Sequence, residues 1–294
     1  MNQLKGTGAA LVTPFNSKGE IDIESYKKLI NYVLDGGVEY IVVNGTTGES
    51  ATTTHAEKMR LLETAIEACE GKAGVVFGIG GNNTQEAVNQ LKSFSYKEVL
   101  AILSVSPYYN KPTQEGIYQH YKALSEASAL PLIIYNVPGR TSSNVAADTT
   151  LRIQSDFSNV VAVKEASGSL EQIMAIIHGR KSEFLVLSGD DNLTLPVIAL
   201  GGDGVISVSC QGFPEIFSKM VRDALAGNLA AAREGHYKLF EITKMLFAEG
   251  NPGGIKAVLA HLGLIEEYMR LPLWPISDAL RQKIIKETQK IRSA

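Results

Sequence analysis

The chain has 294 residues, 45% of them hydrophobic and 20% charged, with a formal net charge of −3. That balance fits a folded globular protein and gives no ground for binding nucleic acid or an anionic membrane over the whole surface. Two cysteines, Cys69 and Cys210, lie outside any C-x-x-C, which excludes a disulfide framework and points to a reducing cytoplasm.

The opening MNQLKGTGAALVTPF lacks the basic-then-apolar order of a signal peptide. No apolar run approaches the roughly 18 residues of a spanning helix. Short Val/Ile/Leu-rich runs then succeed one another, as strands covered on both faces should. The first is GAALVTPF (8–15) and the second YIVVNGTTG (40–48). The helix after it is explicit. Met59, Leu62, Ala65, Ile66 and Cys69 recur at helical spacing, and Thr54 with Glu57 has the spacing of a capping box. GVVFGIGG (74–81), AILSVSPYYN (101–110), LIIYNVPGR (132–140), VVAVKEASG (160–168), FLVLSGDD (184–191) and GVISVSCQG (204–212) follow. Helical periodicity returns between them at 118–127 and 170–177.

Eight β-then-α units of about 20 to 35 residues predict a (β/α)8 TIM barrel. The rival, a doubly wound open sheet, would want a phosphate loop, and GIGGNN at Gly78 does not complete G-x-G-x-x-G. Beyond Gln211 the sequence reads as helices at 214–226, 230–247, 255–262 and 276–291. The expected division is a barrel over 1–225 and a C-terminal helical extension over 226–294.

In such a barrel the chemistry gathers at the C-terminal ends of the strands. The first two strands end on Thr13-Pro14 and on Asn44, Thr46, Thr47 and Glu49. The fourth gives Ser106, Tyr108, Tyr109 and Asn110, and the fifth Tyr135, Asn136 and Arg140. The sixth gives Lys164 and Glu165, the seventh Ser188, Asp190 and Asp191, the eighth Ser207 and Ser209. All five histidines fall in helical segments, so no zinc or di-metal site is expected. Asp190-Asp191 could hold magnesium, but Asp191 or Asn192 capping the next helix is the plainer use.

Lys164 closes an apolar strand. By alternation it shares a face with Ala162 and Val160, while Glu165 faces away. A lysine buried there is either paired with a carboxylate or kept neutral for use. Burial disfavours the charged amine, and a neutral amine can attack a carbonyl to form a Schiff base. That chemistry needs a proton shuttle. Tyr135 stands at the adjacent strand end, and Thr46 and Tyr109 supply hydroxyls that could relay the proton. The GTTGES loop (45–50) offers N–H groups and hydroxyls to a carboxylate. Arg140 is placed either to clamp a second carboxylate or to lie in solvent.

Together GTTGES, SVSPYYNKPTQEGIYQHYK, YNVPGRT, VKEASG, SGDD and GGDGVISV resemble the 4-hydroxy-tetrahydrodipicolinate synthase (dihydrodipicolinate synthase) family of pyruvate-dependent class I aldolases. The resemblance runs from about Gly6 to Leu262 and reaches the RLPLWPIS tail. It implies condensation of pyruvate with L-aspartate 4-semialdehyde on the route to diaminopimelate and lysine, without a cofactor. It implies an imine at Lys164, a relay of Tyr135, Thr46 and Tyr109, and Tyr109 reaching into a neighbouring subunit. Thr47 would hold the pyruvate carboxylate and Arg140 that of the semialdehyde, with Gly189 and Ile206 lining the site. A cytoplasmic homotetramer built from dimers is implied. N-acetylneuraminate lyase and keto-deoxy sugar-acid aldolases are the near alternatives; they differ at the GTTGE loop and at Arg140. A barrel binding a keto acid without catalysis is the alternative of another class. Ser50, Ala51, His55, Asn82, Glu86 and Tyr108 match a lysine-feedback pocket, but Lys58 stands where many members carry histidine. A cation there would repel a lysine effector.

Overall fold

Eight strands, all parallel to their neighbours, close into a barrel in chain order. They alternate with helices as β1 Gly6–Ala10, α1 Ile23–Asp35, β2 Tyr40–Val43, α2 His55–Cys69, β3 Gly74–Gly78, α3 Thr84–Ser93, β4 Val99–Val105, α4 Gln114–Ala127 and β5 Leu132–Asn136. The chain continues with α5 Pro138–Thr141, α6 Ala147–Asp156, β6 Val160–Glu165, α7 Leu170–Gly179, β7 Leu185–Ser188, α8 Thr194–Ala199, β8 Gly204–Ser207 and α9 Pro214–Leu225. Three further helices end it: α10 Leu229–Phe247, α11 Gly253–His261 and α12 Asp278–Ser293. The computed structural model describes residues 2–293. None of its helices is long and apolar enough to cross a membrane.

The local signals act as their chemistry requires. The Thr54 side chain accepts from Glu57 N and Glu57 reaches back to Thr54 N, so α2 starts on a full capping box. The expected first strand is shorter and earlier. Only Gly6–Ala10 pairs in the sheet, and Leu11 to Phe15 already forms the rim segment beyond it.

Two apolar clusters sandwich the strands. The outer one packs helices against the sheet, and the inner one fills the barrel with Tyr40, Val42, Leu103, Ile133, Leu187 and Ile206 among others. Tyr40 lies across the lumen with its hydroxyl donating to Val205 O at 3.3 Å. A Cβ on Gly8 would meet the Tyr40 ring at 2.2 Å, so β1 carries glycine where the ring passes.

Strand β6 departs from strict alternation. Leu132 pairs with Val160 but Ile133 with Ala162, so β6 holds one extra residue. The bulge turns Val160 to the outer cluster and leaves Val161 and Ala162 inside. Lys164 therefore shares its face with Ala162 and not with Val160.

Candidate active site

Tyr135 and Lys164 are paired residues on neighbouring strands. Both are buried, at 6% exposure each, and the Lys164 Nζ lies 4.2 Å from the centre of the Tyr135 ring. Behind them, on the outer face, Asn136 pairs with Glu165. The Glu165 carboxylate accepts from Asn136 Nδ2 at 3.0 Å, Ser167 N at 2.8 Å and Gln172 Nε2 at 3.1 Å. Burial pushes its pKa above the usual glutamate value, and these donors oppose the rise. Lys164 forms no ion pair among the described residues, so the paired-lysine alternative is not realised there. Asp190, partly buried just beyond the end of β7, is near enough to feel the charge of Lys164. Its carboxyl is raised by burial and by Asp191, and lowered by Lys164.

The GTTGES loop leaves β2 through Asn44 at φ 62° and contains Glu49 at φ 56°, both left-handed. Gly48 N and Glu49 N donate back to Gly45 O and Thr46 O, so these two N–H groups are spent inside the loop. Thr46 is half-buried and Thr47 buried. The Thr47 hydroxyl accepts from Asn251 Nδ2 at 3.0 Å. Thr13 Oγ1 donates to Gly48 O at 2.7 Å. Glu49 is wholly enclosed in an ion pair with Lys256 of α11, both side chains at 0% exposure. The second Glu49 oxygen accepts from Arg270 N at 3.1 Å, and the Arg270 guanidinium binds Gly19 O, Thr52 O and Glu57.

Gly189 follows β7 where the backbone comes close to β6. Its N–H donates to Glu165 O at 2.7 Å, and a Cβ there would meet Ala166 Cβ at 2.6 Å. Ile206 is buried in the barrel lumen. Asp191 does not cap the following helix, nor does Asn192. The Asp191 carboxylate accepts from Val208 N, Ser209 N and Ser209 Oγ, tying the end of β7 to that of β8. All three bonds fall on Oδ2, and Oδ1 is buried without a hydrogen-bond partner among the described residues. Among the described residues no group of three or more His, Cys, Asp or Glu is arranged to hold a metal.

Two of the expected residues stand outward. Tyr109 has 88% of its surface exposed and a left-handed backbone, φ 71°. Arg140 is exposed on the short helix α5, which follows β5 directly. The residues matched to a feedback pocket lie before and at the start of α2 (Ser50, Ala51, His55), around the start of α3 (Asn82, Glu86) and after β4 (Tyr108). Asn82 O accepts from Asn110 Nδ2 at 3.0 Å, bringing the β3–α3 turn to the loop after Tyr108 and Tyr109. Ser50 and Asn82 are half-buried, and Ala51, Glu86 and Tyr108 exposed. Lys58 and His55 line a cavity of about 130 Å³ with Asn44, Gln90, Phe94 and Tyr96. Lys58 is half-buried, and burial lowers its pKa against the pull of Glu86.

The model of the dihydrodipicolinate synthetase family matches residues 3–291. The chain is 49% identical over 291 residues to the 4-hydroxy-tetrahydrodipicolinate synthase of Flavobacterium psychrophilum, covering 99% of both. The chain belongs to the dihydrodipicolinate synthetase family. The dihydrodipicolinate synthase of Thermotoga maritima superimposes with a TM-score of 0.96 at 41% identity, covering 99% of this chain and 100% of that one. A monomeric dihydrodipicolinate synthase variant does so at 0.92 and 41%, covering 98% and 97%. That a monomer is singled out implies that association is usual in the family. As a dihydrodipicolinate synthetase family member the chain is an enzyme of the class I aldolase type, acting on small molecules.

Sequence reasoning missed the residues that hold the GTTGES loop from behind. Asn251 and Lys256 lie 204 and 207 positions from their partners. The only local sign is a lysine inside the apolar run IKAVLA (255–260).

Proposed function

We propose that the enzyme condenses pyruvate with L-aspartate 4-semialdehyde to 4-hydroxy-tetrahydrodipicolinate, through an imine at Lys164. The observation that carries this reading is a buried lysine that forms no ion pair among the described residues, held against a tyrosine at the mouth of the barrel. The Lys164 amine adds to the pyruvate ketone, and loss of water gives the imine. Removing a C3 proton makes the enamine, whose carbon attacks the aldehyde and leaves a hydroxyl. The amine of the semialdehyde then takes the imine carbon from Lys164, closing the ring and freeing the lysine.

Protons move at every stage, and a phenol alone is a poor base near neutral pH. Tyr135 therefore works with Thr46 and with Tyr109 of a second subunit. The exposure of Tyr109 suits a side chain that completes a neighbour's site, and a homotetramer built from dimers provides that neighbour. Thr47 holds the pyruvate carboxylate; with Gly48 and Glu49 N–H groups engaged, Thr46 and Thr47 are left to do so. Arg140 holds the carboxylate of the aldehyde, bidentately. Gly189 and Ile206 line the floor. Residues 1–225 make the catalytic barrel and 226–294 the extension behind it, in a cytoplasmic enzyme that needs no cofactor. The N-acetylneuraminate lyase and sugar-acid aldolase readings are set aside because the matched relatives carry the synthase name.

Incubation with pyruvate and borohydride tests the reading. The peptide bearing Lys164 gains the mass of a reduced pyruvyl adduct. Label on another lysine, or none, overturns it.

A further inference from the structure

Glu165 is a buried carboxylate that forms no ion pair among the described residues. Such a group is costly unless several donors hold it, and an apolar residue would be the cheaper filling for that space. It is held by Asn136, Ser167 and Gln172, and these donors lead in two directions.

One direction is the reacting pair. Asn136 and Glu165 occupy the register step directly after Tyr135 and Lys164. Side chains alternate along a strand, so the outer bond joins the same two strand ends that present the inner pair. Fixing Asn136 against Glu165 fixes how far Tyr135 stands from Lys164.

The other direction is the loop that carries Arg140. The Asn136 side chain is fully used. Its Oδ1 accepts from Val145 N at 2.9 Å, and its Nδ2 donates to Asn144 Oδ1 at 2.9 Å as well as to Glu165. The segment 137–144 is thus pinched shut at its base, with Arg140 at its middle. Gln172 of α7 reinforces the closure. It accepts from Asn144 Nδ2 at 2.8 Å and donates to Val145 O at 3.3 Å and to Glu165. Gln114 holds the far side through Asn144 O and Ala146 N.

We infer that Glu165, Asn136 and Gln172 are positioning residues: one clamp that sets the Lys164–Tyr135 spacing and aims Arg140 at the second substrate. The clamp couples the site of imine formation to the site that selects the aldehyde, through side chains that touch neither substrate. The inference rests on the reaction proposed above.

Two variants separate its arms. Gln172→Leu removes the loop-side bonds of a half-buried helix residue. The KM for L-aspartate 4-semialdehyde rises roughly tenfold, while the rate of borohydride-trappable imine formation stays within about twofold. Glu165→Gln keeps the shape but sets an amide NH2 against donors. Both the imine rate and the aldehyde KM worsen, each by roughly tenfold. A merely structural role would lower the active fraction and leave the KM and the imine rate per active site unchanged, and that result overturns the inference. If Glu165→Gln does not fold, Gln172→Leu still decides. Absence of any imine in the unsubstituted enzyme refutes the reaction itself; an imine there, with no change in Gln172→Leu, refutes the clamp alone.

Discussion

Replacing Lys256 with methionine tests the bond between the C-terminal helices and the substrate loop. Lys256 and Glu49 are both fully enclosed, and Lys256 Nζ also donates to Tyr268 O at 2.7 Å. Removing the ammonium leaves the Glu49 carboxylate buried with Arg270 N as its remaining donor. Breaking a buried pair from one side costs about 3 to 5 kcal/mol, chiefly the stranded charge. With about 2.1 cal/mol/K of unfolding entropy per residue, this chain has roughly 0.6 kcal/mol/K, so the melting temperature falls by about 5 to 8 °C. The double change Glu49→Gln with Lys256→Met removes the stranded charge and recovers most of the loss. Function separates from stability here. Glu49 sits at φ 56° only two residues from Thr47, so the single variant also raises the KM for pyruvate. Calorimetry and pyruvate kinetics on the three proteins measure both effects. A Lys256→Met protein within about 1 kcal/mol of the parent, or a double variant no better than the single, would refute the reasoning.

Tyr135→Phe keeps the ring against Lys164 but loses the phenol, so turnover falls by about 10² to 10⁴-fold while the melting temperature holds; steady-state rates and thermal melts check it. Arg140→Ala raises the KM for the aldehyde and leaves pyruvate labelling nearly unchanged; equal loss of both would make Arg140 a pyruvate ligand. His120 is buried, and burial lowers its pKa to about 4. The folded state therefore favours the neutral ring, whose contribution is present above the unfolded pKa near 6.5 and lost as pH falls toward 4, up to about 3 kcal/mol. His120→Gln flattens the melting profile across that window, and an unchanged slope would exclude His120 as its source. Feedback by lysine is predicted to be weak, because the half-buried Lys58 lines a cavity with His55 and feels the charge of Glu86, two of the matched residues; half-inhibition well below a millimolar would refute this, and Lys58→His is expected to gain sensitivity.

The sequence by itself carried the eight-unit order, the capping box of α2 and the placing of Lys164 and Tyr135 at neighbouring strand ends. Each is a local signal: apolar runs about five residues long, a Ser/Thr-x-x-Glu spacing, a charge closing a buried strand. It could not give the phase of β6, because a one-residue bulge depends on how Leu132 and Ile133 seat against the neighbouring strand. Asp191 read as a cap because capping is the local use of an aspartate; the fold instead offered it three donors from 208 and 209, across the barrel rim. The partners of Glu49 and Thr47 were equally invisible. Lys256 and Asn251 meet them only because α11 folds back behind the GTTGES loop, more than 200 positions away in the chain. A periodic pattern is written into adjacent residues. A buried charge finds its partner only after the barrel has closed and desolvation has made leaving it unpaired too costly.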